Sequence, residues 1–300
     1  MQKTLLVIVG PTAVGKTETA LNVAELLHCP IISADSRQIY RELKIGTAAP
    51  TAEQMARVRH YLVGHKSVTD YYSAYEYEQD VVNLLSELFV KTDVVLLTGG
   101  SMMYIDAVCN GIDQIPTISD EIRQQVWADY ETYGLDFMLQ RLQKLDPEHY
   151  DIVDKQNYKR VLHAIEVCLQ SGQTYTSLRV NSRVERPFKI VKVAINRERA
   201  ELFDRIGKRV DEMIQNGLEQ EVRRCLPMRH LNSLNTVGYK EMFAFVDGKM
   251  SLAEATEKIK TNTRRYAKKQ LTWFRLKGDY QWFDANDAML VDKIISLLDK

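Results

Sequence analysis

The residues best suited to chemistry stand at positions 10 to 17, where the sequence reads Gly-Pro-Thr-Ala-Val-Gly-Lys-Thr. This is the spacing G-x-x-x-x-G-K-[ST] of a phosphate-binding loop. Gly10 and Gly15 allow the backbone to turn tightly and to point its N–H groups at one anion. Lys16 brings a positive charge to the phosphates, and Thr17 offers a hydroxyl to Mg²⁺. The stretch predicts a phosphate or diphosphate site formed by Gly10, Pro11, Thr12, Ala13, Val14, Gly15, Lys16 and Thr17.

A buried strand and a helix must hold this loop. Leu5 to Val9 form an uninterrupted apolar run, as expected of a strand that is buried on both faces. The stretch from Lys16 to Leu27 predicts a helix whose positive dipole end faces the same anion. Strand, loop and helix therefore follow one another in the order that a phosphate-binding loop requires.

Asp35 is the strongest candidate for proton transfer or metal binding. It follows a predicted strand, Pro30 to Ser33, and ligands of open α/β sheets lie beyond the carboxyl ends of the strands. A carboxylate there can hold a metal or accept a proton from an attacking group. Asp-Ser is also an ordinary helix start, so Asp35 has a structural reading as an N-cap. Its place relative to the phosphate loop favours the functional reading.

A third apolar strand, Asp93 to Thr98, ends in Gly99-Gly100-Ser101. Common P-loop NTPases show an Asp for Mg²⁺ at the end of such a strand. Glycines in its place weaken an ATPase assignment. They suggest that a bulky group approaches the backbone here, with Ser101 able to form a hydrogen bond to that group.

The order of the elements predicts an α/β fold with a P-loop NTPase-like parallel sheet, helices on both faces and a small all-helical insertion domain. Residues 1–112 form the first part of the catalytic core. Residues 113–185 carry amphipathic helical stretches without a strand-like run. Phe188 to Ile195 predict a strand that rejoins the sheet, so residues 186–300 complete the core and include basic C-terminal helices.

Composition sets further limits. The 300 residues are 45% hydrophobic, which is enough for a full core, yet no apolar run approaches the ~20 residues that span a bilayer. No signal-peptide pattern precedes the first strand. The four cysteines lie far apart, which favours free thiols in a reducing compartment. We therefore expect a cytoplasmic protein without membrane contact, and a monomer by default.

The zero net charge conceals an asymmetry. Residues 1–180 carry 16 Lys/Arg and 23 Asp/Glu, whereas residues 181–280 carry 22 and 13. A helix predicted from Ser251 to about Lys277 interleaves basic residues with aromatic ones, as a nucleic-acid surface does. Alternatively, the basic residues form an ordinary solvent-exposed face of the helix, and Trp273 and Phe274 pack inward against the core. The basic candidates on this helix include Arg264, Lys268 and Lys269.

Taken together, seven stretches resemble the tRNA dimethylallyltransferase family, also called tRNA isopentenyltransferases. They occur in the family's order and span nearly the whole chain. The phosphate loop is generic, but the second and last stretches are far more specific. The seven are Gly10–Thr17, Ser33–Tyr40, Ile45–Ala48, Gly99–Tyr104, Asn216–Val222, Val237–Met242 and Thr263–Trp273.

The resemblance implies that a dimethylallyl group moves from dimethylallyl diphosphate to the exocyclic amine of the adenosine just 3′ of the tRNA anticodon. It implies that the phosphate loop holds the diphosphate, with Lys16 neutralising its charge, Thr17 as a Mg²⁺ ligand and Arg209 as a second diphosphate contact. It makes Asp35 the general base. Ser101 stands where the family usually has Thr, and it keeps the hydroxyl.

The resemblance also implies contacts to tRNA. It assigns the flipped adenine to Asp35, Ser36, Arg37, Gln38 and Ser101, and the anticodon stem-loop to Arg123 and the helical insertion. There the family commonly reads Asn-x-x-Arg-x-x-Arg-Ala, and this chain has Asn157-Tyr158-Lys159-Arg160-Val161-Leu162-His163-Ala164. His163 replaces an arginine beside Lys159 and Arg160. Arg264, Lys268 and Lys269 complete the expected RNA contacts.

Two other functions fit parts of the sequence. A P-loop kinase would share the phosphate loop and a carboxylate after the second strand. A kinase function does not explain Gly99-Gly100-Ser101 or the basic last third of the chain. A nucleotide-dependent RNA-binding factor would use the basic helix but leaves Asp35 unexplained. The sequence does not decide whether ATP binds the loop.

Overall fold

The computed structural model describes residues 2–180 and 184–298. Its strands are β1 (Thr4–Val9), β2 (Ile31–Ser33), β3 (His60–Tyr61), β4 (Val94–Gly99), β5 (Lys189–Asn196) and β6 (Gln281–Asp284). Its α-helices are α1 (Lys16–Leu26), α2 (Ala52–Arg57), α3 (Ala74–Leu88), α4 (Met102–Asn110), α5 (Asp120–Leu145), α6 (Pro147–Ile152), α7 (Tyr158–Ser171), α8 (Tyr175–Leu178), α9 (Arg199–Gln215), α10 (Leu218–Cys225), α11 (Tyr239–Val246), α12 (Leu252–Lys277) and α13 (Leu290–Ile295).

The six strands form one parallel sheet in the order β3-β2-β4-β1-β5-β6. Strand β1 lies near the middle and pairs over its full length with β4 on one side and β5 on the other. All six of its residues are buried, which explains its unbroken apolar run. The predicted parallel sheet is confirmed.

Helices cover both faces of this sheet, as predicted. Leu6 and Ile8 of β1 face a core that includes residues of α1, α9 and α13. Leu5 and Val7 point to the opposite face, where α3, α4 and Phe274 of α12 pack. The alternation follows from the period of two along a strand. Phe274 is fully buried, so the expectation that it packs inward is confirmed.

Some elements differ from the expectation. The two-residue strand β3 and the helices α4 and α11 were not predicted from the sequence, and a strand of two residues carries no readable period. Residues 199–225 form two helices, α9 and α10. Gly217 has φ +96°, a left-handed conformation that favours glycine and ends the first helix.

The chain divides into two compact units, one comprising residues up to Cys109 and from Arg186 onward, and the other running from Asn110 to Glu185. The second unit is helical in its described part. Its α5 is interrupted at Gly134, where φ is +77°, so this helix consists of two helical segments. Val126, Met138 and Val161 belong to its own apolar core.

Within the described ranges, none of the helices is both long enough and apolar enough to cross a membrane. The four cysteines are all buried and free. Burial raises the pKa of the Cys29 thiol to about 12 and that of Cys109 to about 11, so both thiols are neutral and unreactive at physiological pH.

Asp146 fastens the helical unit. It is 1% exposed. Its Oδ1 accepts a hydrogen bond from the backbone N–H of His149 at the start of α6, at 3.0 Å. Its Oδ2 accepts one from the N–H of Thr176 on α8, at 2.7 Å, and the Thr176 hydroxyl donates to the same carboxylate. One carboxylate thus holds two helices together.

Replacing Asp146 with Ala should lower the free energy of unfolding of the helical unit by about 2–4 kcal/mol, since buried N–H groups lose their acceptor. Asp154→Ala is the matched control, because Asp154 is exposed and bonds only the adjacent turn through Gln156. Urea titrations followed by Trp127 fluorescence, in a background with Trp273→Phe and Trp282→Phe, measure the helical unit alone. Equal midpoints for D146A and D154A would contradict the assignment.

Candidate active site

A cleft of about 680 Å³ opens within the larger unit, next to the phosphate loop. It gathers most of the predicted site residues from distant parts of the chain. Those that line it are Thr12, Lys16, Thr17, Asp35, Ser36, Arg37, Gln38, Ser101, Arg209 and Lys269. The carboxyl ends of β1, β2 and β4 meet here, which is where an open α/β sheet binds ligands.

The phosphate loop is held in a constrained conformation by two arginines. Ala13 has φ +65° and Gly15 has φ +112°, values that cost a side-chain-bearing residue energy. The Nε of Arg205 donates to the carbonyl of Ala13 at 2.8 Å. The Nε of Arg197 donates to the carbonyl of Val14 at 2.6 Å. One side chain of α9 and one of the segment before it therefore hold two successive carbonyls of the loop in place.

Lys16 and Arg209 place two cations beside each other in the cleft. Burial, together with the charge of Arg209, lowers the pKa of Lys16 to about 7, against the opposing effect of Asp35. Burial also lowers the pKa of Arg209, again opposed by Asp35. The Nζ of Lys16 donates to the carbonyl of Pro11 at 2.8 Å. Two half-buried cations side by side are suited to binding an anion.

Asp35 caps a turn, as one of the two interpretations of the sequence predicted, and its charge also acts on the two cations. Its Oδ1 accepts hydrogen bonds from the N–H groups of Arg37 at 2.9 Å and Gln38 at 3.3 Å, so it does cap a turn. Its charge also favours the charged forms of Lys16 and Arg209. The turn therefore fixes a carboxylate beside the two cations.

Ser101 bonds the same turn. It is buried, its hydroxyl accepts from the N–H of Ser36 at 2.7 Å, and it donates to the Ser36 hydroxyl at 3.0 Å. The bulky groups that Gly99 and Gly100 admit belong to the protein itself. A Cβ on Gly99 would collide with the backbone of Ala34, and one on Gly100 would collide with the amide of Gln270.

Glu221 is a site-building residue that sequence reasoning missed. Its buried carboxylate accepts from the N–H groups of residues 44, 45 and 46 at 2.8 to 2.9 Å, and from the Tyr239 hydroxyl at 2.6 Å. The next residue, Thr47, offers its carbonyl to Arg209 and to Gln38, both at 3.2 Å. Glu221 thereby positions one of the two cations. In the sequence, the signal that could have identified Glu221 is its place in one of the seven family stretches, Asn216–Val222.

Helix α12 brings one of its three predicted RNA-contacting residues to the cleft, together with three residues that were not assigned. Lys269 lines the cleft, and Arg265, Tyr266 and Gln270 line it too, although none of these three was assigned. Arg264 and Lys268 lie over the ring of Phe203 instead, 5.7 and 5.8 Å from its centroid. Residues four apart share a helix face, which would have paired Arg265 with Lys269.

The remaining predicted RNA contacts lie in the helical unit. Arg123 on α5 and Lys159, Arg160 and His163 on α7 are exposed. The Nδ1 of His163 is 3.6 Å from the carboxylate of Glu166. Nothing in the unit itself tests their contact with RNA, so that assignment stays a prediction.

A preassembled metal site is absent from residues 2–180 and 184–298, where no cluster of three or more His, Cys, Asp or Glu side chains could hold an ion. The cleft does contain two oxygen donors suited to Mg²⁺, the hydroxyl of Thr17 and the carboxylate of Asp35. Mg²⁺ keeps several waters and is usually bound by one or two protein ligands plus substrate phosphates. The donor set fits an ion that arrives with a diphosphate.

Comparison with known proteins agrees with this geometry. Residues 38–277 match the family described as IPP transferase. The chain is 57% identical over 284 residues to tRNA dimethylallyltransferase 2 of Parabacteroides distasonis, covering 95% of each chain.

Two solved structures are similar over 99% of this chain. The full-length tRNA isopentenylpyrophosphate transferase from Bacillus halodurans is 35% identical, is covered to 95% and gives a TM-score of 0.71. A eukaryotic dimethylallyltransferase acting on tRNA gives a TM-score of 0.79 over 77% of its chain. The latter is 22% identical, so it bears on the fold alone.

Binding of inorganic diphosphate should weaken as the pH rises above about 7. The free Lys16 ammonium loses its proton there, whereas a bound anion favours the charged form, so binding must take up a proton. The affinity should fall by up to ~10-fold per pH unit. Calorimetry at pH 8 in buffers of different ionisation enthalpy, without added metal, measures this uptake.

Lys16→Met is the control for that measurement, because it removes the titrating group and leaves only the ligand's own titration. Proton uptake that is the same in K16M as in the unaltered protein would show that Lys16 is not the group responsible.

Proposed function

The chain belongs to the IPP transferase family, and from this premise we propose that it is a tRNA dimethylallyltransferase. It transfers a dimethylallyl group from dimethylallyl diphosphate to the exocyclic N6 amine of the adenosine 3′-adjacent to the anticodon, position 37 of the tRNA, and releases diphosphate. One observation carries the proposal: a single cleft joins Lys16 of the phosphate loop and Arg209 of α9 to a carboxylate, Asp35, that interacts with both.

The donor occupies the end of the cleft formed by the phosphate loop. The diphosphate accepts hydrogen bonds from the loop N–H groups and neutralises Lys16 and Arg209, whose pKa values burial lowers in its absence. Negative charge grows on the diphosphate as its bond to the allylic carbon breaks. Fixed donors and cations aimed at that charge are the main source of rate enhancement in such a site.

A divalent cation fits this donor set. The Thr17 hydroxyl would hold Mg²⁺ together with phosphate oxygens of the substrate. When bound, the ion neutralises part of the charge on the leaving diphosphate.

The acceptor adenine reaches the cleft by leaving the stack of the anticodon loop, which costs ~a few kcal/mol. Its amine attacks the allylic carbon, the carbon–nitrogen bond forms as the carbon–oxygen bond breaks, and the amine proton passes to Asp35. Ser101 holds the Asp35–Ser36 turn through its hydroxyl. We assign contacts to the base to Asp35, Ser36, Arg37 and Gln38, with Ser101 acting through the turn.

The basic residues divide between two surfaces. Arg265 and Lys269 line the cleft and meet the phosphates that flank the flipped base. Arg123, Lys159, Arg160 and His163 are exposed on the helical unit and take the anticodon stem-loop. Since its substrate is tRNA, the protein works where tRNA is found, which in a bacterial cell is the cytoplasm.

A label-transfer assay tests the proposal directly. Purified protein, Mg²⁺ and unmodified tRNA are mixed with radiolabelled dimethylallyl diphosphate, and in parallel with γ-labelled ATP and small metabolites. We expect prenyl label in the tRNA, which is lost when the target adenosine is changed to guanosine. Consumption of ATP without prenyl transfer would overturn the proposal in favour of a kinase.

Asp35→Asn tests the general base. Asparagine keeps an oxygen acceptor for the N–H groups of Arg37 and Gln38 but cannot take a proton. We expect kcat to fall by ~10²- to 10⁴-fold while tRNA binding changes little.

The control for this variant is Asp70→Asn, which makes the same change at an exposed carboxylate that caps a turn at Ser67. A kcat for D35N equal to that of D70N would remove Asp35 from the reaction.

A further inference from the structure

The side chain of Gln270 connects two loops of the active site. It is 1% exposed. Its Oε1 accepts a hydrogen bond from the backbone N–H of Thr12 in the phosphate loop, at 2.9 Å. Its Nε2 donates to the carbonyl of Gly100, after β4, also at 2.9 Å. Both polar atoms of a buried amide are therefore used, one on each loop.

The space around Gln270 is shaped for this contact. A Cβ at position 100 would overlap the Gln270 amide, so the close approach depends on glycine there. Tyr266, one helical turn earlier on α12, donates its hydroxyl to the same Gly100 carbonyl at 3.2 Å. Two side chains of one helix thus fix the position of a single peptide group.

From Gly100 the connection continues to the carboxylate. The N–H of Ser101 donates to the carbonyl of Ala34 at 3.0 Å, and the Ser101 hydroxyl bonds Ser36. Asp35 lies between Ala34 and Ser36. A shift of the Gly100–Ser101 peptide would therefore displace the turn that carries Asp35.

We propose that Gln270 is a positioning residue that sets the separation between the diphosphate cradle and the Asp35 carboxylate. It touches neither reactant in this scheme and acts through the Thr12 amide on one side and the Gly100–Ser101 turn on the other. The expected effect of Gln270 on prenyl transfer rests on the proposed transferase function. Its expected effect on diphosphate binding, through the Thr12 amide, does not. Errors of about 1 Å in such a separation cost ~10²-fold in rate.

The first test is Gln270→Met, which preserves the length and volume of the side chain and removes both hydrogen bonds. We expect the affinity for inorganic diphosphate to fall about fivefold or more, the scale of one lost hydrogen bond. We expect kcat for prenyl transfer to fall ~10- to 100-fold, while tRNA binding stays within twofold. If Q270M does not fold, Gln270→Asn replaces it, since the shorter side chain keeps the amide but cannot span both loops.

Combining the change with Asp35→Asn separates positioning from general destabilisation. If Gln270 acts through Asp35, Q270M should lower kcat in the unaltered protein but have almost no further effect in D35N, whereas its effect on diphosphate affinity should persist. A loss of kcat by the same factor in both backgrounds would indicate a merely structural role and overturn the proposal.

Gln215→Met is the matched control, because Gln215 is exposed at the end of α9. Diphosphate affinity measured by calorimetry needs no acceptor tRNA. An affinity in Q270M equal to that in Q215M therefore overturns the positioning proposal whether or not the unaltered protein transfers a prenyl group. Failure of prenyl transfer in the unaltered protein, with weakened diphosphate binding in Q270M, would instead reject the transferase reaction and support the cradle contact.

Discussion

The burial of two neighbouring cations, Lys16 and Arg209, is the constraint on which the rest of the site depends. Two cations do not lie together in a half-buried cleft unless something holds them there. Lys16 is fixed by the start of α1 and by the carbonyl of Pro11. Arg209 is tied to the carbonyl of Thr47, in a loop whose N–H groups are held by the Glu221 carboxylate. The scaffold keeps the two cations side by side, and under the proposed function a diphosphate neutralises them.

This arrangement explains why several family stretches that lie far apart in the sequence occur together: their residues contact one another in the fold. The loop at 45–47, Glu221 and Tyr239 belong to three of the family stretches, and they meet at one carboxylate. Gln270 belongs to a fourth and meets the phosphate loop. These side chains determine where the loops that line the cleft stand.

The sequence predicted the parallel sheet and several of the charged groups that line the cleft because each has a local signal. An apolar run, a glycine-lysine loop and a carboxylate after a strand can be recognised without knowing what packs nearby. The positions of Gln270 and Glu221 could not be predicted in this way, since the loops that they bind lie 170 residues or more away in the chain. Ser101 shows the same limit: its hydroxyl was expected to meet a ligand, and it meets Ser36.

The two units differ in net charge, and this difference affects how a protein of zero net charge can select an RNA. Residues 110–185 carry 8 Lys/Arg and 12 Asp/Glu, so the helical unit as a whole repels phosphate. The rest of the chain carries 32 Lys/Arg and 28 Asp/Glu. Non-specific attraction to RNA, which scales with the number of phosphate contacts, is therefore weak on the helical unit. Under the proposed function, a tRNA-binding surface there would rely on a few placed cations, such as Arg123 and Lys159. Repulsion elsewhere on the unit then disfavours any RNA whose backbone does not fit them.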